Sequence, residues 1–113
     1  MARKTDKERN AVDDRVFMES IADIIGEYDS GKVAVLDKIS ERCAEKGYPL
    51  DKNRLNNCVQ RLKSHSLLSS DWMRVRDDNF MVVDGERKRT VPVIRGYVLT
   101  VLGWHEIGKT DIV

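Results

Sequence analysis

Asn53, Asn56, Asn57, Gln60 and Arg61 crowd into one short window of the chain, and their side chains share a single chemistry. An amide offers a donor and an acceptor side by side, the pattern that matches the major-groove edge of adenine, and a guanidinium offers the paired donors that match guanine. Around them stand Lys52, Arg54, Lys63 and Ser64, side chains suited to phosphate oxygens, which position a protein without specifying sequence. From Lys52 to Ser70 there is no Asp or Glu, although the chain has 19 of them elsewhere. A polyanion tolerates such a surface and repels an acidic one.

The charge balance sharpens this. The net charge is only +1, so the protein is no basic coat for nucleic acid. Residues 1–51 hold nine Lys/Arg against twelve Asp/Glu, whereas residues 52–113 hold eleven against seven. One face for a polyanion and another left neutral or acidic is the expectation.

These residues need a helix to hold them. Leu55, Cys58, Val59 and Leu62 recur at spacings of three and four, which predicts a helix over 51–65 with Asp51 as its N-cap. At ~100° per residue the opposite side carries Asn53, Asn57, Gln60 and Ser64, flanked by Asn56 and Arg61. Upstream, Val16, Phe17, Ile21, Ile24, Ile25 and Tyr28 predict a helix over about 13–28, capped by Asp13 or Asp14. A second helix is expected from Lys32 or Val33 to Lys46, closed by Gly47 and by Pro49, which holds Tyr48 extended.

After Leu68 the period changes to two. Strands are expected over 72–76, 80–83, 90–94 and 97–102, with Pro92 confined to an edge or bulge. Asp84-Gly85 is a hairpin signal that sets Arg87, Lys88 and Arg89 at or beside the tip, where they suit a flanking DNA backbone. Residues 1–12 read as a flexible charged arm, 13–103 as one domain and 104–113 as a short tail. The expected fold class is α+β: a three-helix helix-turn-helix core followed by a β-hairpin wing.

Two stretches in this order resemble the winged helix-turn-helix family. Leu62-Lys63-Ser64-His65-Ser66-Leu67-Leu68 is similar to the end of the family's recognition helix, where a leucine and a lysine precede a turn and a G-L-[LIV] step. Tyr97-Val98-Leu99-Thr100-Val101-Leu102-Gly103 resembles the Y-x-L-T-x-x-G with which many bacterial members close the wing. The resemblance covers about residues 13–103. It implies binding to double-stranded DNA, usually as a transcriptional regulator, with helix 51–65 in the major groove and the 84–89 wing on the backbone. Ser66 departs from the family's glycine, at a cost on the order of 1 kcal/mol if the backbone there is left-handed. No long helix follows the wing, so homodimerisation stays open.

Other classes find less support. Cys43 and Cys58 lack zinc-site spacing, with only His65 and His105 to complete one, and read as buried thiols. No metal or other cofactor is expected. Neither histidine sits in a catalytic pattern, and Gly26 and Gly31 make no phosphate loop, so no enzyme is expected. No apolar run approaches the ~20 residues of a membrane span, and MARKTDKERN is no secretory signal, so a cytoplasmic protein is expected. The competing reading is a winged-helix assembly module that binds protein instead of DNA, anchored on Trp72, Tyr97 and Trp104, although packing beneath the hairpin explains these aromatics too.

Overall fold

The computed structural model describes residues 4–28, 30–74, 80–83, 86–89 and 93–108, with side chains placed for 7–28, 30–71 and 95–108. Three helices, α1 (Lys4–Ile25), α2 (Leu36–Glu45) and α3 (Lys52–Ser64), precede four strands and a final short helix. The strands are β1 (Leu68–Arg74), β2 (Phe80–Val83), β3 (Glu86–Arg89) and β4 (Val93–Leu99), and α4 spans Val101–Glu106. The fold is α+β, and helix, helix, helix and antiparallel hairpin in this order are compatible with a winged-helix layout.

The core forms where the apolar stripes of the three helices meet the base of the hairpin. Phe17, Ile21, Ile39, Cys43, Cys58 and Leu62 are fully enclosed, and Leu50, Leu55, Leu68, Leu99, Trp104 and Ile107 close around them. β1 and β4 pair antiparallel from Leu68↔Leu99 to Arg74↔Val93, and β2 and β3 pair from Phe80↔Arg89 to Val83↔Glu86. The Asp84-Gly85 turn itself, Pro92 and the side chains of Trp72, Arg87, Lys88 and Arg89 lie outside the described residues. Among the described residues no helix is long and apolar enough to cross a membrane.

Several boundaries differ from expectation, each for a local reason. α1 begins at Lys4, so the arm expected over 1–12 is helical from Lys4 onward. Lys, Glu, Arg and Ala there are strong helix formers, and extending a helix already nucleated by its core stripe needs no new nucleus. α2 starts at Leu36 because the preceding residues serve the sheet instead. Val33 and Ala34 are buried, and Ala34 exchanges both backbone hydrogen bonds with Tyr97, at 2.9 and 2.8 Å.

β1 starts at Leu68 rather than 72. The last strand ends at Leu99 instead of 102, because Thr100 caps α4, its Oγ1 accepting from the Gly103 N–H at 3.1 Å. The expected tail from 104 therefore begins inside a helix, and Trp104, 3% exposed, belongs to the core.

α2 and α3 end by the same device. Tyr48 N–H bonds the Cys43 carbonyl and Gly47 N–H the Ala44 carbonyl; Leu67 N–H bonds Leu62 and Ser66 N–H bonds Lys63. Both are Schellman motifs, which need one left-handed residue. Gly47 supplies it at φ 80°, but in α3 the residue is Ser66 at φ 60°. In α3 the left-handed position is thus held by a serine, at the cost of strain. Ser66→Gly is expected to stabilise the fold by about 1 kcal/mol in urea denaturation, and an unchanged midpoint would count against the strain.

Candidate nucleic-acid interface

Asp51 caps α3, its carboxylate accepting from the Arg54 N–H at 2.8 Å, and Leu55, Cys58 and Leu62 turn into the core. That orientation sends Asn53, Asn56, Asn57 and Gln60 outward, where all four are exposed. Lys52, Lys63 and Ser64 are exposed along the same side. Lys63 Nζ stands 5.4 Å from the centroid of the Tyr97 ring, a cation–π contact that joins the end of α3 to the base of the hairpin. The structure therefore brings together seven of the residues expected at the interface and leaves their amides directed at solvent.

Arg54 and Arg61 do not join them. Seven positions apart, they share one flank of α3, and that flank faces α1. Arg54 donates from Nε to Asp13 Oδ2 at 3.0 Å and from Nη2 to Asp13 Oδ1 at 2.6 Å. Tyr48 completes the group, its hydroxyl donating to Asp13 Oδ1 at 2.6 Å while accepting from Arg54 Nη2 at 3.1 Å. Arg61 grips Asp14 in the same way, with Nε 3.1 Å from both carboxylate oxygens and Nη2 2.8 Å from Oδ1. Arg61, expected at bases, and Arg54, expected at phosphates, are thus placed with their guanidiniums bonded to α1 and holding α3 against it.

The electrostatics follow from burial and pairing. Asp13 is 1% exposed, and burial by itself pushes its carboxyl up. Hydrogen bonds from Arg54 and Tyr48, with the charges of Arg54 and Arg61, outweigh that and hold it below the usual carboxylate range. The hydrogen bond to Asp13 and burial push the Tyr48 hydroxyl up, and bonds to Asp13 and Asp14 push Arg54 and Arg61 up. Burial, then the neighbouring Asp14, pushes the Cys58 thiol up, which leaves it inert as a nucleophile. Cys43 meets Ser20, Sγ to Oγ 3.3 Å, inside the same core. Among the described residues no three His, Cys, Asp or Glu side chains gather as a metal site would require.

Asp13, Asp14 and Tyr48 are the residues that the sequence reading missed as anchors. A signal was present: Asp13 lies four residues before Phe17, on the apolar stripe of α1, where a carboxylate requires a buried partner. Comparison of the chain with protein-family models, with curated proteins and with solved structures gives no match, so any functional reading rests on the residues and geometry above.

Proposed function

We propose that this protein binds double-stranded DNA with sequence preference, α3 entering the major groove and the β2–β3 hairpin lying on the flanking backbone. The observation that carries this reading is the outward face of α3, where exposed Asn53, Asn56, Asn57 and Gln60 stand between Lys52 and Lys63 without a carboxylate. A solvated helix face of a protein with 35% charged residues ordinarily alternates acids and bases, and this one does not. Lys52, Lys63 and Ser64 suit phosphates, and Arg87, Lys88 and Arg89 on β3 give the hairpin its positive charge. The role such a module suits is transcriptional regulation in the cytoplasm. Docking of protein on Trp72, Tyr97 and Trp104 is the weaker reading, because Trp104 packs in the core and Tyr97 is half-buried beside Lys63.

Fluorescence anisotropy with a mixed-sequence duplex across a salt series tests the proposal. Binding with Kd of about 10⁻⁴–10⁻⁶ M that weakens steeply with salt is expected. Replacing Arg87, Lys88 and Arg89 together by alanine should weaken all duplexes alike and flatten the salt slope. Asn57→Ala should leave the slope intact and reduce discrimination between sequences by about 1–3 kcal/mol. A protein that binds no duplex at low salt, or whose variants all bind as the parent does, removes the DNA reading.

A further inference from the structure

We infer that the base class read by α3 is adenine. This rests on the DNA-binding reading above and deepens it: the face that would enter the groove carries four amides and no guanidinium. Asn53, Asn56, Asn57 and Gln60 are exposed, and none of their side chains makes a hydrogen bond among the described residues. Both arginines of the helix, the groups that would take guanine, are turned to the other flank. Arg54 and Arg61 spend Nε and Nη2 on Asp13 and Asp14 at 2.6–3.1 Å.

The selectivity follows from donors and acceptors. An amide can donate to adenine N7 while its oxygen accepts from the N6 amino group, which satisfies both halves of the side chain. Against guanine it meets two acceptors, N7 and O6, so its own oxygen is left facing another oxygen in a desolvated groove. Cytosine offers only a donor there and thymine only an acceptor and a methyl group, so each fits half an amide. The two lysines do not restore guanine reading: Lys52 opens the helix at its flank, and Lys63 is drawn toward the Tyr97 ring at 5.4 Å.

Spacing adds a second constraint. Asn53 and Asn57 form one row on the helix surface, and Asn56 and Gln60 a parallel one, each pair four residues apart. Four residues rise about 6 Å along a helix, close to two base-pair steps of about 3.4 Å each. A helix lying along the groove thus presents its amides to adenines roughly two base pairs apart.

Selection from a duplex library of randomised sequence, followed by anisotropy on the enriched duplex, tests this. The enriched site should carry adenines, and rebuilding it with 7-deazaadenine, which removes N7 while keeping Watson–Crick pairing and the minor groove, should weaken binding about tenfold per contacted adenine. The 7-deazaguanine duplex should bind as the unmodified one does. Asn53→Ala and Asn57→Ala, both at exposed positions, should bind more weakly and lose sensitivity to 7-deazaadenine. Enrichment of a G·C site, or an A·T-rich site indifferent to 7-deazaadenine, overturns the adenine inference while leaving DNA binding standing. Failure to bind or enrich any duplex overturns DNA binding itself, and this inference with it.

Discussion

Arg54→Ala is expected to lower stability by about 3 kcal/mol, a fall in Tm of more than about 10 °C for a domain of this size. The substitution strips Asp13 of two hydrogen bonds and its nearest positive charge, leaving a carboxylate that is 1% exposed with, among the described residues, only Tyr48 as a direct partner. Breaking a buried pair from one side typically costs about 3–5 kcal/mol. The lower end applies because the Arg54 side chain keeps 30% of its exposure. Acid distinguishes this mechanism from lost packing. In the parent the Asp13 carboxyl is held below its ordinary value. Its contribution is therefore complete above about pH 4, the unfolded value, and is lost as pH falls through the lower folded one. In Arg54→Ala the raising effect of burial is far less opposed, so protonating Asp13 relieves the fold. The gap between variant and parent should then narrow as pH falls from about 7 to 3. Thermal melts followed by circular dichroism across that range give the answer, and a constant gap would mean that the guanidinium acts as bulk alone.

Gly103→Ala is expected to be as severe, with a loss of about 3 kcal/mol or more in urea denaturation. A Cβ built on Gly103 runs into the Leu67 carbonyl oxygen and approaches Leu99 Cβ at 3.2 Å. The carbonyl has nowhere to retreat. It accepts the Thr100 N–H at 3.1 Å, and Thr100 Oγ1 donates to the neighbouring Ser66 carbonyl at 2.6 Å. The turn after α3 and the first turn of α4 are thus stitched together around the missing side chain. Gly47→Ala makes the control: its Cβ meets open space, and only the left-handed backbone costs, about 1 kcal/mol. Equal midpoints for the two alanine variants would show that the close approach at Gly103 carries no energy.

The same pair of segments explains what could be read in the sequence. Leu62–Leu68 and Tyr97–Gly103 lie far apart in sequence, and the structure packs them on each other through Thr100, Ser66, Leu67 and Gly103. The helices were legible through their period, with Phe17, Ile21 and Ile25 buried as their spacing demands, and through Asp51 before α3 and Gly47 after α2, whereas Asp13 and Asp14, expected to cap α1, lie inside it. The outward amides were legible for the same reason, being opposite Leu55, Cys58 and Leu62. What escaped was set by partners distant in sequence. Val33 and Ala34 read as the start of a helix until Tyr97, far along the chain, claims the Ala34 backbone. Thr100 reads as strand until Gly103 and Ser66 make it a cap. Arg54 and Arg61 read as ligands of DNA because helical spacing places them at the edge of the polar side, and it does not reveal that Asp13 and Asp14 wait across from them.

That last pairing has a consequence for substitutions in α3. Neighbouring residues on α1 hold two arginines that are seven residues apart on α3, a separation of about 10.5 Å along the helix. Two such anchors hold α3 against α1 at two levels along its length. The mounting occupies one flank and the apolar stripe, and Asn53, Asn56, Asn57 and Gln60 take no part in it. The exposed amides and the residues that keep the helix in place are therefore separate sets. Under the proposed DNA reading, substitutions at the four amide positions would change the target and leave both anchors of α3 untouched.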